Sequence, residues 1–434
     1  MARPPTNPID IHRYERKLQY AEAQVRRSTL SARNKELIFA YRDACLLKNV
    51  CGRVRLIRVM GALTVMGRVL DKDFDTATRQ DVERLITRLI THQPPYSPET
   101  ISAYKAILRS FLTWVTVPDE FPTRHYPPLV AWISCHLKKR DCKRLSRHDL
   151  LTPKDIATLL GVVRNVRDKA LISVLWESGG RIAEVGNPQL KHLTRHQHGY
   201  LLELTGKTGT RSVLLIESSA YLNAWLNQHP FANDPESPLW AHYHFETTAG
   251  YLKYDTIRNL LKNAFARAGM QKPFHPHIFR HSRATYLLAR GTLTEQQAKA
   301  YFGWTPESDQ LSTYSHLVDG DATNAILRSH NLAPATEDEP SLQPRGCAVC
   351  GALNPPSILL CPNCGTLLNT NAGIRQASMV PDAAMRALLE ALAARGNMDG
   401  AVQLIHDAGL GPALERLAKT PATDKTTSVP KASQ

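Results

Sequence analysis

Apolar residues recur at helical spacing in the first part of the chain. After Ser97 and Pro98, which suit a helix cap and a first turn, they return every three or four positions. A second apolar stripe follows Thr78 and Asp81, whose spacing is typical of a helix start closed by reciprocal side-chain hydrogen bonds. We therefore predict a helical domain over residues 1–115.

The helical pattern is broken between residues 116 and 150. Four prolines interrupt regular structure there, and the run KKRDCKRLSRH then concentrates positive charge. This composition predicts a basic, proline-rich linker.

A second domain is predicted over residues 151–330. It opens on Thr152, Pro153 and Asp155, which suit the cap, the first position and the third position of a helix. Further on, YLLELTGKTGTRSVLLI has two apolar stretches around a Gly-Lys-Thr-Gly turn, which favours a β-hairpin, and most other segments have helical spacing. The predicted fold class is mainly α, with a small antiparallel sheet that makes the second domain α+β.

Four smaller parts are predicted after the second domain. Residues 331–345 are acidic and rich in proline, as in a linker, and residues 346–368 contain two close cysteine pairs. Residues 380–420 have two amphipathic stripes that predict a helical tail, and residues 421–434 have the composition of a disordered end.

The chain is strongly basic. Its 54 Lys and Arg residues against 39 Asp and Glu residues give a formal net charge of +15. This charge favours an extended polyanion, double-stranded DNA above all, as the partner. A membrane is not expected, because no apolar run approaches the roughly 18 residues of a spanning helix. The first residues lack the apolar stretch of a signal peptide, so we expect a cytoplasmic protein.

The eight cysteines fall into two groups. Four are scattered and are predicted to be free thiols, namely Cys45, Cys51, Cys135 and Cys142. The other four form two C-x2-C pairs, each followed by a glycine that suits a tight turn, namely Cys347, Cys350, Cys361 and Cys364. Four sulfur ligands leave no open position on the metal, so we predict a structural zinc in a zinc ribbon. We expect no catalytic metal and no nucleotide cofactor.

Four short segments of the second domain stand out together, namely SGGRIAEV, TGKTGTR, HPHIFRHSRATYLL and FGWTPESDQLSTYSHL. In order and spacing they resemble the catalytic boxes of the tyrosine recombinases, the phage integrase family that includes XerC and XerD. The resemblance implies a catalytic set of Arg181, Lys207, His277, Arg280, Trp304 and Tyr314. It also implies a core-binding first domain that contacts DNA, and a site-specific recombinase or integrase that acts as a tetramer on DNA through a 3′-phosphotyrosine intermediate.

These residue types suit strand cleavage without a metal. A phenolate at Tyr314 would conserve the energy of the broken phosphodiester in a phosphotyrosine ester. The guanidiniums of Arg181 and Arg280 would hold the non-bridging oxygens, where negative charge builds up. Lys207 would protonate the leaving 5′ oxygen, since neighbouring arginines lower the pKa of a lysine.

Three other side chains receive supporting roles. His277 would assist proton transfer at the tyrosine or bind phosphate, and Trp304 would offer its indole N–H to a non-bridging oxygen. Glu184 lies one helical turn after Arg181 and would orient an arginine rather than react.

Other interpretations stay open at this point. Taken singly, Gly-Gly-Arg is an ordinary helix end, Gly-Lys-Thr-Gly an ordinary hairpin turn, and Trp304 a core residue. A type IB topoisomerase would share the tyrosine chemistry, and a catalytically inactive DNA-binding protein would keep the fold. The pairs His242 with His244 and His275 with His277 suggest a metal-dependent hydrolase, although no motif supplies a further ligand.

Overall fold

The computed structural model describes residues 9–123, 125–137, 146–242, 250–308, 327, 330, 342–358, 360–361, 363–366 and 368. The described part is mainly helical and contains small antiparallel sheets, so the predicted fold class is confirmed. The helical tail predicted over residues 380–420 and the disordered end predicted over residues 421–434 lie outside the described residues.

The N-terminal helices pack around a core of their own. They are α1 (Tyr14–Arg27), α2 (Ala32–Leu47), α3 (Arg53–Leu70), α4 (Arg79–Ile90), α5 (Pro98–Thr116) and the short α6 (Pro128–Ala131). Their apolar faces share one buried cluster, which we call the first core. Helix α4 begins as predicted: the Thr78 N–H donates to Asp81 Oδ2 at 2.9 Å, and the Asp81 N–H donates to Thr78 Oγ1 at 3.4 Å.

The first core extends beyond α5. Phe121, Val130 and Ile133 belong to it and are at most 5% exposed. They come from the proline-rich stretch that the sequence predicts as a linker. Burial of these apolar side chains holds that part of the stretch against the helices.

A second core lies among the elements after residue 150. These are α7 (Pro153–Val162), α8 (Val166–Ser178), α9 (Ile182–Gly186), β1 (Leu193–His196), β2 (Gly199–Gly206), β3 (Gly209–Leu215), α10 (Ser219–Leu226), α11 (Tyr254–Arg267), α12 (Ile278–Ala289) and α13 (Glu295–Phe302). Helix α7 starts at the predicted capping box, in which the Thr152 N–H donates to Asp155 Oδ2 at 2.7 Å.

The predicted hairpin is the centre of a three-stranded antiparallel sheet in the order β1-β2-β3. Strands β2 and β3 pair from Tyr200 with Leu215 down to Gly206 with Gly209, which leaves a two-residue turn at the tip. The faces alternate as expected for a sheet with one buried side: Leu204 and Val213 are buried against the second core.

The cysteine-rich segment adds two short strands, β4 (Arg345–Gly346) and β5 (Leu353–Asn354), which pair with each other. Strand β5 packs against α10. None of the described helices is long and apolar enough to cross a membrane.

Candidate active site

Arg181 is held at the start of α9 by a carboxylate of the same helix. Its backbone N–H donates to Glu184 Oε2 at 3.1 Å, and its Nη1 donates to Glu184 Oε1 at 2.5 Å. The carboxylate is only 3% exposed, whereas the Arg181 side chain remains 34% exposed. Glu184 therefore fixes the position of Arg181, whose side chain still reaches solvent. This is the orienting contact expected from the sequence.

A second arginine on β3, which the sequence analysis missed, shares that carboxylate. Arg211 Nη2 donates to Glu184 Oε2 at 2.8 Å, and its Nε donates to the Tyr301 carbonyl at 2.8 Å. Arg211 is only 11% exposed. It thus ties the hairpin both to α9 and to the end of α13.

The alternation of inward-facing and outward-facing residues along β3 could have revealed Arg211. In β3 it shares its face with Val213 and Leu215, both buried, so the sequence places a charge in an inward-facing position. An inward charge requires a buried partner, and Glu184 is that partner.

The charge state of Glu184 follows from these contacts. Burial alone would raise the pKa of its carboxyl, but the hydrogen bonds and charge of Arg211, together with those of Arg181, lower it overall. The group therefore stays a carboxylate near neutral pH.

Arg280 lies in the first turns of α12 and is 4% exposed. Its Nη1 donates to the Gly179 carbonyl at 3.1 Å and its Nη2 to the Phe302 carbonyl at 2.6 Å. The guanidinium carbon also lies 5.4 Å from the centre of the Phe302 ring and 5.6 Å from that of Trp304. One buried arginine thereby joins the end of α8, just before Arg181, to the end of α13.

His277 is the N-cap residue of α12 and shares its surroundings with both arginines. Burial lowers the pKa of its imidazole, and the charges of Arg181 and Arg280 lower it further, against a smaller opposing effect of Glu184. The ring is therefore neutral near pH 7. One turn later, burial lowers the pKa of His281 to about 4.

Lys207 occupies the exposed tip of the β2–β3 hairpin. The tip is anchored beside it, where Thr208 Oγ1 donates to the Gly303 carbonyl at 2.7 Å. On the other side of the turn, a Cβ at Gly206 would collide with the Glu184 carboxylate. Lys207 thus projects from a turn that is attached at both ends to the elements carrying the other candidate residues.

Trp304 follows the α13 C-cap Gly303, which has a left-handed φ of 61°. It is 7% exposed, belongs to the second core and stacks on Phe302 with ring centres 5.0 Å apart. A Cβ at Gly303 would lie 2.9 Å from Arg211 Nη1, so this position requires the small residue. The packing favours a core role for most of the Trp304 ring.

Tyr314, the candidate nucleophile, lies outside the described residues. A competing tyrosine close to it in sequence, Tyr301, is held in place: its hydroxyl donates to the Glu177 carbonyl at 2.7 Å. Burial raises the pKa of Tyr301 to about 12. Tyr301 is thus a poor source of phenolate.

The four cysteines of the C-terminal module lie together. Their sulfur atoms are all within 4.8 Å of one another, with Cys347 Sγ 3.4 Å from Cys364 Sγ and Cys350 Sγ 3.6 Å from Cys361 Sγ. The spacing is close to the roughly 3.8 Å between sulfurs that a tetrahedral Zn–S distance of about 2.3 Å requires. The cluster can hold a metal ion.

Both cysteine pairs adopt the same turn. The Gly351 N–H donates to the Cys347 carbonyl and the Gly365 N–H to the Cys361 carbonyl, each at 2.8 Å. The two glycines have left-handed φ values of 69° and 77°, the conformation that the sequence pattern anticipates. Backbone N–H groups of Cys350 and Val349 lower the pKa of Cys347 to about 6, which favours the thiolate.

The histidine pairs do not form a comparable cluster in the described part of the chain. There, the only group of three or more possible metal ligands is the four-cysteine set. His244 lies outside the described residues, and so does Cys142. The remaining scattered cysteines, Cys45, Cys51 and Cys135, are free thiols.

The chain is similar to proteins of known family. A sequence model described as the phage integrase family matches residues 149–320. The chain is 26% identical over 264 residues to a tyrosine recombinase of Thermosipho africanus, covering 59% of this chain and 86% of that protein. It is 26% identical over 230 residues to tyrosine recombinase XerD of Listeria monocytogenes, covering 50% of this chain and 72% of that protein.

A solved structure agrees with these sequence matches. The crystal structure of XerH site-specific recombinase bound to palindromic difH substrate, a post-cleavage complex, superposes with a TM-score of 0.50 at 15% identity. The match covers 76% of this chain and all of that one, and it shows a common fold. Residues 149–320 therefore match the phage integrase family, and the chain is similar to tyrosine recombinases.

Proposed function

We propose that this protein is a site-specific recombinase that cleaves and rejoins duplex DNA through a 3′-phosphotyrosine formed at Tyr314. The observation that carries the proposal is the convergence of Arg181, Arg280 and His277 next to the hairpin that bears Lys207. Type IB relaxation of a single duplex and a catalytically inactive fold are not favoured, since the sequence relatives are recombinases.

The cleavage step balances without an external reactant. The Tyr314 oxygen forms a bond to phosphorus while the bond from phosphorus to the 5′ oxygen breaks, and Lys207 gives that oxygen its proton. The proton of the tyrosine hydroxyl passes to His277, which is neutral near pH 7 and can accept it. Rejoining reverses the step, with a 5′ hydroxyl attacking the phosphotyrosine.

The two arginines stabilise the charge that develops on the non-bridging oxygens. Arg280 is the rigid member, because its contacts with the Gly179 and Phe302 carbonyls fix the plane of the guanidinium. Arg181 is the exposed member and meets the phosphate when DNA binds. The Trp304 ring, whose centre lies 5.6 Å from the Arg280 guanidinium carbon, would lie beside the bound phosphate.

Double-stranded DNA is the proposed partner. The net charge of +15 suits a phosphate backbone, and the XerH structure is that of a recombinase on its difH substrate. We further propose that four copies assemble on two duplexes, with residues 1–115 as the core-binding domain and residues 151–330 as the catalytic domain.

A nicked duplex tests the proposed reaction. The nick lets the short strand with its new 5′ hydroxyl diffuse away after cleavage, so the covalent complex accumulates. We expect a DNA strand that remains bound to the protein after denaturation, and joined products from two separate duplexes when intact sites are supplied. Relaxation of a supercoiled plasmid without any strand exchange would instead indicate a topoisomerase.

Arg211 should matter for cleavage rather than for binding. Arg211→Gln removes the ion pair with Glu184 and the anchor to Tyr301, so the hairpin and Arg181 lose their fixed positions. We expect DNA affinity to change less than about two-fold and the cleavage rate to fall about ten- to one-hundred-fold. Gel shift and single-turnover cleavage measure the two quantities. Lys191→Gln, which breaks an exposed ion pair with Glu236, is the matched control and should leave both unchanged.

We also propose that the metal of the cysteine module is zinc and that its role is structural. Few large apolar side chains are available over residues 346–368, so metal binding must supply much of the folding free energy. The module also contacts the catalytic part of the chain. Strand β5 packs on α10.

Removing two ligands should unfold the module and spare the chemistry. Cys347→Ser combined with Cys361→Ser is expected to abolish binding of one equivalent of zinc, measured by metal analysis of the purified protein. The covalent complex with a nicked duplex should still form at saturating protein. Affinity for the DNA target site should decrease if the module binds DNA or a neighbouring subunit. Zinc retained by the double variant would refute the proposed ligand set, and loss of all covalent complex in a folded variant would refute the structural role.

A further inference from the structure

The first described residues of the chain cross from one core to the other. Ile9 and Ile11 are 7% and 1% exposed and belong to the second core, although α1, which begins at Tyr14, packs on α3 in the first unit. We call residues 9–12 the strap. It is a contact between the two units that lies far in sequence from the predicted linker.

Three backbone contacts hold the strap on the second unit. The Ile11 N–H donates to Asn187 Oδ1 at 3.1 Å, and the Ile11 carbonyl accepts from the Tyr254 N–H at 3.0 Å. The Tyr251 hydroxyl donates to the Asp10 carbonyl at 3.2 Å. The strap is therefore bonded at both of its edges.

Hydrogen bonds also connect the strap to the start of α1. The Asp10 carboxylate accepts from the N–H groups of His12 at 2.9 Å and Tyr14 at 2.7 Å, which fixes the turn before the helix. The His12 ring lies between aromatic rings of both units, 4.8 Å from Tyr14 and 4.4 Å from Tyr254. These contacts join the strap to the start of α1.

The strap ends on the helix that carries Arg181. A Cβ at Gly186, the last residue of α9, would lie 2.7 Å from Ile11 Cδ1, so the two residues are in close contact. Asn187, which binds the Ile11 N–H, is the C-cap of α9. A five-residue helix is not stable alone, so its position depends on such contacts. Arg211 binds α9 through Glu184, and Ile11 packs on the C-terminal end of α9.

We propose that the strap is a positioning element through which the N-terminal helical unit holds α9, and with it Arg181, in place for cleavage. Ile11 and Gly186 are the contact that transmits the effect. The part of this proposal that concerns the cleavage rate rests on the proposed function, whereas the mechanical coupling does not.

A double-mutant cycle tests the contact. Ile11→Ala leaves a cavity at the end of α9, and Gly186→Ala pushes against Ile11. Each single variant should lower the cleavage rate at saturating DNA about ten-fold, as expected for a small displacement of a catalytic group. The double variant should lose less than the product of the two single losses, because the added methyl group occupies space that the shortened side chain vacates.

Hydrogen exchange supplies a measurement that does not need activity. The Val185 and Asn187 amides bond within α9, to the Arg181 and Ala183 carbonyls, and should lose protection in Ile11→Ala. The matched control is Ile38→Ala, an equally buried isoleucine of the first core, which should leave these amides protected. Should Ile11→Ala fail to fold, Ile11→Val gives the same test with a smaller cavity.

Two results would overturn the proposal. One is faster exchange at residues 9–14 in Ile11→Ala while Val185 and Asn187 keep the protection that they have in Ile38→Ala. The other is strict additivity of the two single substitutions in both the exchange and the cleavage rate. If the wild-type protein forms no covalent complex, the proposed function fails, yet the exchange of α9 still decides the role of the strap.

Discussion

Arg181→Lys is expected to lower the rate of DNA cleavage by about 10²- to 10³-fold while DNA affinity changes little. The substitution keeps the positive charge but removes the planar fork that pairs with two phosphate oxygens. It also removes the bond from Arg181 Nη1 to Glu184, whose carboxylate then remains paired with Arg211 alone. Single-turnover cleavage of a nicked duplex and a gel shift on the same DNA measure the two quantities.

The matched control for this prediction is a lysine substitution at an arginine outside the site. Arg195→Lys, on β1, should leave both the cleavage rate and the affinity close to those of the unaltered protein. If Arg181→Lys weakened binding and cleavage to the same extent, Arg181 would be an ordinary phosphate contact rather than a group that acts in the transition state.

Tyr314→Phe should abolish the covalent complex altogether. Phenylalanine keeps the ring but has no hydroxyl oxygen to attack phosphorus, so no ester can form. DNA binding should persist, because the arginines and the net positive charge of the chain are unchanged. Tyr301→Phe is the comparison: it removes the bond to the Glu177 carbonyl and should reduce stability without removing the complex. Covalent complex surviving in Tyr314→Phe would show that the nucleophile is another residue.

Local signals in the sequence predicted much of the fold. The capping boxes at Thr78 and Thr152 begin helices as expected, and the β2–β3 hairpin forms around its Gly-Lys-Thr-Gly turn. These features depend on residues a few positions apart, so propensity and spacing are sufficient to reveal them. The same holds for the two cysteine turns, whose glycines have left-handed φ.

Contacts between residues far apart in the sequence could not be predicted from these local patterns. The pairing of Arg211 with Glu184 joins residues 27 positions apart, and the bond from Ile11 to Asn187 joins residues 176 positions apart. The periodicity of apolar residues predicts that one face of a helix or strand is buried, but not which other face it packs against. For this reason the strap was assigned to the first domain from sequence, although its apolar side chains lie in the second core.

The candidate site residues differ in how far their placement could be predicted from the sequence. Arg181, His277 and Arg280 come together as the box pattern implies, because the Arg280 guanidinium binds the Gly179 carbonyl, two residues before Arg181. Trp304 fits the alternative that the sequence left open, a core residue, since its ring is stacked on Phe302. The role of each in the reaction stays a prediction.

The central claim is tested most directly by mapping the residue that becomes linked to DNA. The wild-type protein, trapped on a nicked duplex and digested with trypsin, should yield a modified peptide spanning residues 300–328. Fragmentation by mass spectrometry should place a 3′-linked nucleotide on Tyr314 and leave Tyr301 unmodified, and the released strand should carry a 5′ hydroxyl. A nucleotide on any other residue, a 5′-linked ester, or hydrolysis that leaves no covalent link would contradict the account.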